Sequence, residues 1–108
     1  MPEYIVSYHG GDQPKTQEEG AGHMKKWMAW VQSCGDAMVN PGTPVGITKV
    51  ITATGVSSEG SANPMTGFSV VKADDMDGAI ELAKGCPVLD IGGTLEVSEM
   101  MQMGGGKS

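Results

Sequence analysis

Residues 20–38 read GAGHMKKWMAWVQSCGDAM, and this stretch decides the fold. On a wheel of 3.6 residues per turn, His23, Trp27, Trp30 and Cys34 fall together, with Met24, Met28 and Val31 beside them. The arc spans ~160°, which suits a helix packed on one side. Lys25, Lys26, Ala29, Gln32 and Ser33 take the other side. The helix is predicted over Gln17–Cys34. Thr16 is its N-cap, Glu18 and Glu19 suit its positive end, and Gly35 stops it.

Working outward, Glu3–His9 alternates Tyr4, Val6 and Tyr8 against Ile5, Ser7 and His9, the pattern of a strand. Gly10 to Pro14 is a turn. After the helix, Ala37–Asn40 reads as a short strand stopped by Pro41-Gly42 and Pro44. Val45–Thr54 is rich in β-branched residues and is expected to be another strand, with Ile47 and Ile51 facing away from Val50. Gly55–Met65 is a polar loop, and Thr66–Ala73 a strand. Asp74 or Asp75 caps a second helix carrying Met76, Ala79, Ile80 and Ala83, which Gly85 and Pro87 end. Gly93–Met100 is the last strand, and 101–108 is expected to be a flexible tail.

The order β-α-β-β-β-α-β predicts an α+β, ferredoxin-like domain over residues 1–100, an antiparallel sheet with two helices on one face. Apolar side chains occur on both faces of its strands. A second copy of the chain is the expected cover for the face without helices, so the protein is predicted to be a homodimer paired through its sheets.

Composition narrows the functions. A formal net charge of −6 speaks against nucleic acid and anionic membranes as partners. No apolar run reaches the ~20 residues of a membrane span, and the start MPEYIVSY lacks a signal-peptide pattern. Two cysteines 52 positions apart form no CxxC and are expected to be free thiols in a cytoplasmic protein. The tail GGGKS has Met101 where a phosphate loop needs glycine, and no helix follows. Nine methionines read as core filler rather than a soft-metal site. His9 and His23 lack dedicated ligand spacing, so no metal and no cofactor are expected.

His23 sits at the edge of the helix's apolar arc. It reads either as a core-edge histidine or as an acid–base group of a pocket walled by Trp27 and Trp30. Asp36 lies at the far end of the helix, ~16 Å from His23 at 1.5 Å per residue. The start of the helix returns beside the end of the first strand, which brings His9 and Asp12 near His23. Asp12 is therefore the expected partner, and it also reads as an ordinary turn aspartate.

These blocks together resemble the YCII-related, or DGPF-domain, family of the dimeric α/β-barrel superfamily. The likeness runs over about residues 3–100: YIVSYHGGD, GHMKKWMAWVQSCG, NPG, TGFSVVKADD, DGAIELAKGCP and, most specific, GGTLEVSEM. The resemblance implies a helix histidine and an aspartate as the site, matched here by His23 and by Asp12 with an offset of about two residues. The DGPF motif is replaced by SSEGSANPMTGF, where Glu59-Gly60 is a faint echo. The expected function is a cofactor-free enzyme using a His23/Asp12 acid–base pair on a small polar or aromatic molecule. The alternative is a non-catalytic dimer that binds a small molecule or a protein.

Overall fold

The computed structural model describes residues 1–57 and 60–101. The expected 102–108 part of the tail, with GGGKS, and Glu59 of the DGPF echo lie outside them. Strand β1 (Glu3–His9) leads to helix α1 (Gln17–Cys34), a short 3-10 turn at Gly35–Ala37, and β2 (Met38–Pro44). Strands β3 (Ile51–Thr52), β4 (Gly55–Val56) and β5 (Met65–Lys72) follow, then helix α2 (Met76–Ala83), a 3-10 turn at Pro87–Ile91, and β6 (Thr94–Met100).

Four strands form one antiparallel sheet in the order β2-β5-β1-β6. With two helices, this is the ferredoxin-like α+β arrangement. Period-two alternation along β1 sends Tyr4, Val6 and Tyr8 to the helix side, where all three are buried. Register carries the same face across the sheet: Tyr4 opposes Val71, and Val6 opposes Ser69 and Val97. Trp30, Ala79, Ala83, Cys86 and Val88 close the core over them.

The helix ends follow their capping residues. Thr16 accepts from the Glu19 amide, and Asp75, the second of the two candidate caps, accepts from Gly78. Gly35 ends α1, its amide turned back to the carbonyls of Val31 and Gln32. The inward face of α1 is narrower than the wheel suggested. Trp30 is buried and Trp27, Val31 and Cys34 pack against the core, but Met24 and Met28 are exposed.

The Val45–Thr54 strand is corrected. Only Ile51–Thr52 is extended and paired, and its partner is Gly55–Val56, not the main sheet. β-Branched composition records a fit to a pleated surface, not a location in a sheet. Here the residues form a separate hairpin whose Ile47 and Ile51 face solvent. Both cysteines are unpaired, Cys86 buried and Cys34 half-buried. No described helix is long and apolar enough to cross a membrane.

Candidate functional site

A cavity of about 590 Å³ opens where the end of β1, the first turns of α1 and the end of β2 converge. Asp12, His23, Trp27, Tyr8, Thr43 and Thr66 are among the residues that line it. The sequence explains how each arrives. Gly10 and Gly11 have φ of 72° and 95°, a left-handed pair that folds the chain sharply off β1. Asp12 follows at once, and its amide donates to the Ile91 carbonyl at 2.8 Å, which tethers the turn to the 3-10 turn at Pro87–Ile91 before β6. His23 and Trp27 are four residues apart and so share one face of α1.

Trp27 is the wall that links the elements. Its Nε1–H donates to the Pro41 carbonyl at 2.9 Å. Its ring meets Tyr8 edge-on, centroids 5.2 Å apart, and the His23 imidazole lies 5.9 Å away at a tilt. The Tyr8 hydroxyl is hydrogen-bonded to Ser69, and burial pushes its pKa up, so it stays protonated at neutral pH. Tyr8 thus offers the cavity a neutral ring edge, not a phenolate.

Asp12 and His23 share this cavity without a hydrogen bond between them. Among the described residues neither side chain has a hydrogen-bonding or ion-pair partner, so both are available to a bound molecule. Asp12 is exposed at the mouth and His23 is half-buried. Asp36 is in the turn at the other end of α1 and does not line the cavity.

Two residues expected in the pocket are elsewhere. Trp30 turns into the core, where its Nε1–H donates to the Leu82 carbonyl at 2.8 Å. A wheel position next to Trp27 did not separate a core tryptophan from a pocket one. His9 is one residue past Tyr8, so the pleat points it to the opposite sheet face. There its Nδ1–H donates to the Asn63 carbonyl at 3.0 Å, while Nε2 and Ser7 Oγ are hydrogen-bonded at 2.9 Å. Glu96 Oε1 is 3.5 Å from the same Nε2. Tyr8, Thr43 and Thr66 were not anticipated. Tyr8 was the legible one, because strand alternation puts it on the helix face beneath Trp27.

Among the described residues no group of three or more His, Cys, Asp and Glu is placed to hold a metal. Among the described residues the cavity lining contains no Lys or Arg, and its formal charges are those of Asp12 and, when protonated, His23. A planar molecule can lie against Trp27 and reach both groups. One end can hydrogen-bond to the imidazole and the other to the carboxylate.

No family model matches the chain, and no curated protein does. Among solved structures, the fold is similar to that of 5-chloro-2-hydroxyhydroquinone dehydrochlorinase (TftG) from Burkholderia phenoliruptrix AC1100, in complex with 2,5-dihydroxybenzoquinone. The TM-score is 0.54 over 94% of this chain and 95% of that one, with 11% sequence identity. At that identity the likeness is one of fold.

Proposed function

We propose that this chain is a small, YCII-like, cofactor-free acid–base enzyme acting on a hydroxylated, neutral six-membered ring. One observation carries the reading: His23, Asp12 and the flat wall of Trp27 converge on one cavity. The size suits a single small ring. The absence of Lys and Arg from its lining disfavours phosphorylated or carboxylated substrates, whose charge would face Asp12 unpaired. The structural neighbour acts on a chlorinated trihydroxybenzene and is seen with a dihydroxyquinone, which supports the ring class.

In this reading neutral His23 takes the proton of a ring hydroxyl while a solvent water protonates a ring carbon, and the imidazolium then gives its proton to the hydroxide left behind, so that the phenol becomes its keto tautomer and His23 returns to its neutral form. Asp12, on the lining of the same cavity, stabilises the imidazolium that forms. Reversal with loss of the other hydrogen on that carbon exchanges a ring proton with solvent. The test is deuterium uptake from heavy water into 1,2,4-trihydroxybenzene, followed by proton NMR. The parent protein should accelerate uptake, and His23→Gln should return it to the buffer rate. Equal rates with and without the parent protein would remove the catalytic reading and leave the non-catalytic binding module.

The same reading includes a homodimer. The molecule is only 18 Å thick, enough for one sheet and one layer of helices about 10 Å across. Ile5, Phe68 and Val70 occupy the sheet face opposite the helices, with Ile5 opposing Val70 and Ser7 opposing Phe68. Val70 is already buried in one chain, and a second sheet laid on this face would finish the burial of the half-buried Ile5 and Phe68 through one isologous contact. Two unpaired thiols fit a reducing, cytoplasmic setting.

A further inference from the structure

Among the described residues, the β3–β4 hairpin has little support from the other elements of its own chain. Ile51 pairs with Val56 and Thr52 with Gly55, and the Ser57 amide donates to the Val50 carbonyl at 2.8 Å. Beyond that, no helix and no main-sheet strand among the described residues packs substantially on either strand. A lone two-stranded hairpin is marginal in water. This one exposes apolar side chains as well: Ile47 is 92% exposed, Ile51 75% and Val56 66%. Ile51 and Val56 are direct cross-strand partners, so they make one patch rather than two isolated spots.

The hairpin is rooted where β2 ends and β5 begins, with the Val45 amide donating to the Thr66 carbonyl at 3.1 Å.

The chain carries a matching empty surface. Met76 and Ile80 of α2, Leu89, and Leu95 and Val97 of β6 line an apolar groove of about 510 Å³. Met76, Ile80 and Leu89 are 36%, 37% and 44% exposed. The groove flanks β6, while the hairpin springs from β2 and β5, and β2 and β6 are opposite edges of the sheet. The hairpin of one chain therefore leaves its own groove unfilled. Among the described residues, the one charged residue lining the groove, Lys84, is neutralised by Glu81 at 2.7 Å, so Lys49, the one charged residue of 45–57, meets no unpaired cation there.

We propose that the β3–β4 hairpin is an exchange arm whose Ile47, Ile51 and Val56 dock in the α2–β6 groove of a second copy of this chain. Arm and groove occur once in each chain, so reciprocal docking closes as a two-fold dimer. The proposal rests on the pairing of copies in the reading above and adds a contact that sheet-to-sheet pairing does not need. It also reaches the cavity. Pro44 and Thr66, at the roots of the arm, are part of the cavity wall, so docking would hold that wall in place.

The test is sedimentation and light scattering of the full chain from low to high micromolar concentration, for the parent, Ile51→Asp in the arm and Leu89→Asp in the groove. Both positions are solvent-exposed in one chain, and far-UV circular dichroism with thermal melting checks that each variant folds. The parent should show twice the 11.2 kDa chain mass. Each variant should raise the dissociation constant about tenfold or more, the loss expected from an apolar contact that no longer forms. A parent of single-chain mass at every concentration overturns both the arm and the sheet pairing, and leaves the acid–base reading to its own assay. A parent dimer untouched by Ile51→Asp overturns the arm and leaves the sheet pairing standing. Weakening by Ile51→Asp alone overturns the groove as the receptor.

Discussion

The Trp27 indole donates to the Pro41 carbonyl at 2.9 Å, and this one bond fastens the middle of α1 to β2 across the wall of the cavity. Three residues on, Trp30 makes an analogous bond to Leu82 but from inside the core. The two tryptophans stack edge to face, centroids 5.3 Å apart, and divide the work of the helix between site and scaffold.

That division predicts opposite phenotypes. Trp27→Phe removes one hydrogen bond from a half-buried ring and should cost about 0.5–1.5 kcal/mol of stability. It should also weaken binding of ring-shaped ligands. Trp30→Ala empties a buried site and should cost about 3–5 kcal/mol. Urea denaturation of both variants, with ligand titration of the folded fraction, checks the contrast. Equal stability losses would mean that Trp27 is as much a core residue as Trp30.

Gly67 faces Tyr8 at the floor of the cavity. An added Cβ would sit 2.8 Å from Tyr8 Cδ2 and 2.9 Å from the Thr43 carbonyl oxygen. Neither the ring, held under Trp27, nor the β2 backbone can retreat easily. Gly67→Ala should therefore destabilise by about 1–3 kcal/mol, in the range of overpacked cores. Denaturant midpoints report it. A neutral substitution would show that β2 moves freely against β5.

The Cys86 thiol gives a pH dependence. Burial pushes its pKa from 9.0 up to about 11. Between those values the folded state holds a proton that the unfolded state has lost, so stability falls as pH rises from about 9 to about 11. The steepest slope attributable to this group is on the order of 1 kcal/mol per pH unit. Burial raises Cys34 and Tyr8 in the same direction, so the whole protein loses stability in alkali. Denaturant unfolding at several pH values should show Cys86→Ala with a shallower decline than the parent. Parallel declines would place the alkaline sensitivity in other groups.

Where sequence patterns have one physical cause, they were readable. The alternation of β1, the caps Thr16 and Gly35, and the Asp75-led second helix each follow from local geometry, and the structure has all of them. The turn after β1 brought Asp12 to the His23 cavity as chain return predicts. Val45–Thr54 was different. Its β-branched residues fit any pleated surface, and nothing in them distinguishes the main sheet from a projecting hairpin. Trp27 and Trp30 lie on neighbouring parts of one wheel, and only the position of β2 and α2 decides which is core. His9 was avoidable, since its parity with Ser7 rather than Tyr8 already turned it from the helices.

The central claim is that His23 and Asp12 act on one bound ring against Trp27. It is met most directly by a titration of the protein with neutral 1,4-dihydroxybenzene, followed by NMR of the His23 ring protons and the Trp27 indole N–H. Both sets of resonances should move together and saturate at one apparent affinity. Asp12→Asn should weaken that affinity, and the Trp30 indole should stay still. No saturable movement at His23 or Trp27, or the same movement from the surface-wide set of residues, would contradict the account.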